Sequence, residues 1–129
     1  FGTTDRRRIA EIVFADPAEL AWLEALLHPR VRAAYARWLD EVDASVAVVE
    51  IPLLYETGAD ALFDVVVVVT APVDVRRARR GGQVDERSAR LIADEEKVER
   101  AEFAYVNDGS LDDLDGFVRA TLEELQTDT

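Results

Sequence analysis

Val65-Val66-Val67-Val68-Val69-Thr70-Ala71-Pro72 is the stretch that decides the fold class. An unbroken run of β-branched residues shows no alternation of apolar and polar, which is the pattern of a strand expected to be covered on both faces. Residues 46–51 form a second apolar run that stops at Pro52, and residues 103–106 a third, ended by Asn107-Asp108-Gly109. Between the runs the spacing turns helical. Asp16-Pro17-Ala18-Glu19 predicts a helix start, with a capping acid, a proline where a missing N–H costs nothing, and an acid at the third position. Leu20, Leu23, Leu26 and Leu27 then recur at helical spacing up to His28-Pro29, where the helix is expected to end, and Val31, Tyr35, Trp38 and Leu39 begin a second pattern.

Further along, Leu53-Leu54-Tyr55-Glu56 predicts a turn of helix before Gly58. After Pro72 an arginine-rich helix is expected, interrupted at Gly81-Gly82 and resumed as a charged helix to about Arg100. Ser110-Leu111-Asp112-Asp113 opens a last amphipathic helix carrying Leu114, Phe117, Val118, Leu122 and Leu125. Strands alternating with helices through short loops predict an α/β layered fold with parallel pairing, in a single domain over residues 1–129.

Composition narrows the function classes. With 49% hydrophobic and 33% charged residues the chain is too apolar to be disordered. A formal net charge of −12 argues against wholesale binding of nucleic acid or an anionic membrane, although a local arginine cluster can still grip one phosphorylated ligand. There is no cysteine, hence no disulfide or thiolate metal site within the chain, and a cytoplasmic setting is expected. No apolar run is long enough to span a bilayer, and none has the organisation of a signal peptide. The chain begins at Phe1 and holds no methionine, so an N-terminal truncation is expected.

In open parallel sheets ligands bind beyond the C-terminal ends of the strands. Three segments leave such ends: Glu50 to Glu56, Thr70-Ala71-Pro72 and Asn107-Asp108-Gly109. Glu50 and Glu56 read either as surface carboxylates or as contacts to a ligand or its metal ion. His28, the sole histidine, reads as a helix-end residue or as a ligand contact. Arg76, Arg77, Arg79 and Arg80 read as a solvated face or as a lid closing over polyphosphate, together with Arg90. Asn107-Asp108-Gly109 is most simply a turn. No zinc spacing, serine–histidine–acid arrangement, dinucleotide fingerprint or Gly-x-x-x-x-Gly-Lys-Ser/Thr loop is present, and Lys97 is the only lysine.

The ordered combination goes further than any single segment. Ile12-Val13-Phe14-Ala15-Asp16-Pro17, Leu23-Glu24, His28-Pro29-Arg30-Val31, Ile51-Pro52-Leu53-Leu54-Tyr55-Glu56-Thr57-Gly58, Phe63-Asp64, Glu95-Glu96-Lys97, Ala101-Glu102 and Asn107-Asp108-Gly109-Ser110-Leu111 together resemble dephospho-CoA kinases. The likeness runs from about Thr4 to Leu125. It implies a three-layer P-loop NTPase-like fold whose N-terminal strands precede Phe1. It implies transfer of the γ-phosphate of ATP to the ribose 3′-hydroxyl of dephospho-CoA, with ATP and Mg²⁺, and no nucleic-acid or membrane partner.

Carried over by position, His28, Pro52, Leu53, Leu54 and Glu56 would bind the CoA substrate. Arg79, Arg90 and Asn107 would face ATP, within a lid region of about residues 76–100, and a helical CoA-side region would cover about residues 5–43. The phosphate loop and the catalytic acid would lie upstream of Phe1, so no catalytic or metal residue is assigned in this chain. On that reading the chain alone is expected to fold poorly and not to turn over ATP. Glu50 stands where the family more often has aspartate, Tyr55 where phenylalanine is common, and the segment between Arg90 and Glu95 is short. The alternative reading is a non-catalytic module that binds a CoA-like ligand or a partner protein.

Overall fold

The structure is a computed structural model, and it describes residues 1–81 and 92–127. The chain divides into two compact units, residues 1–49 and 50–129. Each is taken by itself.

The first unit is helical. Helix α1 (Arg6–Ala15) is capped by Asp5, whose side chain accepts from the backbone N–H of Arg7 at 2.8 Å and of Arg8 at 3.4 Å. Asp16 closes α1 and opens α2 (Pro17–Glu41), accepting from Ala18 N–H at 2.8 Å with Pro17 in the first turn. The expected start at Asp16 is therefore found. The expected end at His28-Pro29 is not: α2 runs on for 25 residues with Pro29 inside it. A proline in a helix interior removes one N–H and pushes on the carbonyl a turn back. The carbonyl a turn back from Pro29 is that of Ala25; the neighbouring Leu26 carbonyl accepts from the Arg30 guanidinium. Val13 is the buried apolar side chain of this unit, and Phe1 meets Trp22 edge-on at 5.4 Å between ring centroids.

Residues 46–51, expected as a strand, pair with nothing among the described residues and form no regular structure. An apolar run becomes a strand only where another strand offers donors and acceptors in register, and among the described residues none does so.

The second unit carries the sheet. Strand β1 (Val67–Thr70) pairs in parallel with β2 (Phe103–Val106), Val67 opposite Phe103 and Thr70 opposite Val106. The parallel pairing inferred from the valine run holds. Its burial on both faces does not, because Val67 and Val69 are 42% and 55% exposed. On the face holding Tyr105, the ring of Phe117 stacks at 4.8 Å between centroids. The run also starts later than expected, since Glu102 Oε2 accepts the Val66 N–H at 2.7 Å and takes that donor out of the ladder.

Helix α3 (Val73–Arg79) follows β1 directly, and Gly81, at φ +65°, ends that segment in the left-handed region. Helix α4 (Asp94–Arg100) leads into β2, and α5 (Leu111–Thr127) closes the chain. Helix α5 begins with a capping box: Asp113 N–H donates to Ser110 Oγ at 3.2 Å, while Asp113 Oδ2 accepts from Ser110 N–H at 2.8 Å and from its hydroxyl at 2.6 Å. Those hydrogen bonds hold the Asp113 carboxyl below the usual carboxylate range. Among the described residues no helix is long and apolar enough to cross a membrane.

Candidate functional site

The carboxyl ends of β1 and β2 open onto a cavity of about 570 Å³. Residues 70–73 and Arg76 form one wall, residues 92–95 the other, and Val106 lies at the end of β2. This is where open parallel sheets place ligands, because the strands stop and helices begin around the same point. Asn107 follows Val106 directly, and its N–H donates to the Thr70 carbonyl at 2.7 Å, one step beyond the ladder.

Positive charge reaches this end from α3. Arg76 Nη2 lies 3.2 Å from Asp94 Oδ2, joining the two walls, with the side chains 48% and 38% exposed. So exposed a pair contributes little to stability, which leaves the guanidinium available to an anionic ligand at small cost. Arg79 Nη2 is 3.5 Å from Asn107 Oδ1, at the outer limit of a hydrogen bond. Of the residues expected to face ATP, Arg79 and Asn107 are thus brought together, and Arg90 lies outside the described residues.

The turn before β1 is built as the sequence suggested. Thr57 N–H donates to Leu53 carbonyl, Ala59 N–H to Leu54 and Gly58 N–H to Tyr55, at 3.2, 2.9 and 3.2 Å. The last two are the paired bonds of a Schellman motif, and Gly58 supplies its left-handed residue at φ +64°. Pro52 is exposed, and Leu53 and Leu54 are partly buried. His28, in the first unit, is exposed in the middle of α2, not at a helix end.

Glu56 turns inward. Its Oε1 accepts from Lys97 Nζ at 2.7 Å, the two side chains being 13% and 16% exposed, and from Ile92 N–H at 3.2 Å. Burial raises the Glu56 carboxyl, but the hydrogen bond and charge of Lys97, with help from backbone N–H groups, outweigh it and hold the group below the usual glutamate value. Tyr55 beside it is buried, with the Arg100 guanidinium 4.1 Å above its ring. Arg100 also reaches Asp60 at 3.3 Å.

Sequence reasoning singled out neither Lys97 nor Arg100 as a site residue, and it covered α1 only within the helical region of about residues 5–43. Asp5 followed by Ile9, Ile12 and Val13 at helical spacing was the available signal for α1. For Lys97, being the sole lysine was the only hint, because nothing local points to a partner in the Pro52–Gly58 turn. Among the described residues no group of three or more histidine, cysteine, aspartate or glutamate side chains is gathered to hold a metal ion. Mg²⁺ rests on the resemblance, and no step is assigned to the ion.

A family profile described as dephospho-CoA kinase matches residues 1–113. The dephospho-CoA kinase of Frankia casuarinae is 41% identical over 131 residues, covering 96% of this chain and 57% of the relative. That of Thermus thermophilus is also 41% identical, covering 96% of this chain and 64% of the relative. A crystal structure of TT1252 from Thermus thermophilus superposes with a TM-score of 0.77 at 37% identity, covering 96% of this chain and 69% of that one. The chain thus spans less than two thirds of the length of these curated relatives. Its parallel strand pair and flanking helices are the α/β, P-loop-like fold of that likeness, and the chain belongs to the dephospho-CoA kinase family.

Proposed function

We propose that the protein to which this chain belongs is an ATP-dependent kinase that phosphorylates the ribose 3′-hydroxyl of dephospho-CoA, and that the cavity at the ends of β1 and β2 receives the adenine nucleotide. The observation that carries the second half is the cavity itself, with Asn107 bonded to Thr70 of its lining and Arg76 and Arg79 on the helix that leaves it. Family membership supports the first half.

Phosphoryl transfer asks a protein mainly for positioning and for neutralisation of charge on the moving group. An amide such as Asn107 suits a base edge, since it offers both a donor and an acceptor. The adjacent arginines suit phosphates, which they bind through paired N–H groups. The acidic balance of the chain does not oppose this, because the positive charge is local to α3. The resemblance alone assigns His28 in the first unit and Pro52, Leu53 and Leu54 in the second to the CoA substrate.

The reading is tested on the full-length gene product, supplied with ATP, Mg²⁺ and dephospho-CoA. Formation of CoA carrying a 3′-phosphate, with one ADP released per CoA, is the expected result. ATP and dephospho-CoA recovered unchanged contradict it. CoA-like ligand binding without turnover supports the non-catalytic module instead.

A further inference from the structure

Glu56 is bonded to one wall of the cavity through the Ile92 N–H. Residues 92–95 make that wall, and α4 starts within it without a side-chain cap, the position before the helix being Ala93. What holds this start is the Glu56 carboxylate, which accepts the Ile92 N–H at 3.2 Å and Lys97 Nζ at 2.7 Å through the same oxygen. The other oxygen, Oε2, is buried with no hydrogen-bond partner among the described residues. A carboxylate in such a place is strongly committed to its two donors, because losing either leaves a charge in poorly solvated surroundings. Asp94, in the same wall, is held among the described residues by the exposed pair with Arg76. Glu56 is therefore the firmer of the two restraints on the wall.

We infer that Glu56 is a positioning residue for the adenine nucleotide, acting through Ile92 and Lys97 to set the wall formed by residues 92–95. The inference rests on the nucleotide reading of the cavity. It gives Glu56 a different task from the substrate contact implied by resemblance. The Schellman turn is the rigid base of the device: Gly58 and Ala59 lock the backbone that carries Glu56, and Thr57 Oγ1 adds a bond to the Leu53 carbonyl at 2.7 Å. The turn and the wall are thus coupled by one side chain.

The test is steady-state kinetics on the full-length gene product, varying ATP and dephospho-CoA separately. Glu56→Ala removes both hydrogen bonds, and the KM for ATP is expected to rise roughly tenfold while the KM for dephospho-CoA stays within about twofold. Glu56→Gln is isosteric and keeps an oxygen for Ile92 N–H; it should raise the KM for ATP about threefold. It carries the test if the alanine variant does not fold. The exchanged pair Glu56→Lys with Lys97→Glu restores opposite charges but leaves Ile92 N–H without its acceptor. Its thermal midpoint should recover relative to either single variant while its KM for ATP stays high, a separation that a merely structural role does not give.

A raised KM for dephospho-CoA with that for ATP unchanged overturns the inference and makes Glu56 a substrate contact. Loss of thermal stability with both KM values unchanged overturns it too. The underlying reading is checked apart from Glu56: Ala93→Trp fills the cavity, and an unchanged KM for ATP in that variant removes the nucleotide from the cavity altogether.

Discussion

The guanidinium of Arg100 lies over the ring of Tyr55, 4.1 Å from its centroid, while the Tyr55 hydroxyl is buried with no hydrogen-bond partner among the described residues. The ring face is used and the hydroxyl is not. Burial raises the Tyr55 pKa, with Arg100 pulling against it. An unsatisfied buried hydroxyl costs about 1–3 kcal/mol relative to the same site without it. Tyr55→Phe is therefore expected to be neutral or to stabilise the full-length protein by up to about 1 kcal/mol. A denaturant midpoint that falls in the phenylalanine variant contradicts the account of the hydroxyl.

Gly58 gives a cleaner case, since a Cβ placed there meets nothing within 4 Å. The cost of Gly58→Ala is then purely the left-handed backbone at φ +64°, about 1–2 kcal/mol. Thermal denaturation should show that loss. An alanine variant as stable as the parent means that the turn is not locked as described.

At the start of α5, Ser110→Ala removes the hydroxyl that accepts the Asp113 N–H and donates back to its carboxylate. About 1 kcal/mol of stability should go with it, and Ser110→Asp, which keeps a capping acceptor, should recover much of this. Equal losses in both variants contradict the capping role.

The pH dependence follows from Glu56. Its folded pKa lies below the usual glutamate value, so the stabilisation from its ion pair is complete above about pH 4.3 and is lost as pH falls through the lower, folded value. Glu56→Gln removes this contribution at neutral pH but has nothing to lose in acid. The stability gap between parent and variant should be widest near pH 6 and narrow steadily towards pH 3. A gap that stays constant across that range contradicts the ion pair as its source.

What could be read from the sequence was whatever short-range chemistry decides. The helix start at Asp16-Pro17, the turn before Gly58 and the helix start at Ser110 each depend on residues within a few positions, and each is found. The valine run was legible as a strand for a related reason, since β-branched side chains restrict their own backbones. Residues 46–51 carry the same local signal without a pairing partner among the described residues, and no local pattern reveals that. Pro29 misled because its usual effect is to end a helix, whereas here α2 continues past it. The link from Glu56 to Ile92 and Lys97 is long-range, so the sequence showed that Glu56 was notable but not what it holds.

The claim on which most rests is that the cavity between residues 70–73 and 92–95 receives the adenine nucleotide. Photolabelling of the full-length protein with 8-azido-ATP, followed by peptide mapping, addresses it most directly. The account predicts label on peptides spanning residues 70–76, 92–97 or 103–108, suppressed by excess ATP. Label confined to other peptides, with these three segments unmodified, contradicts it.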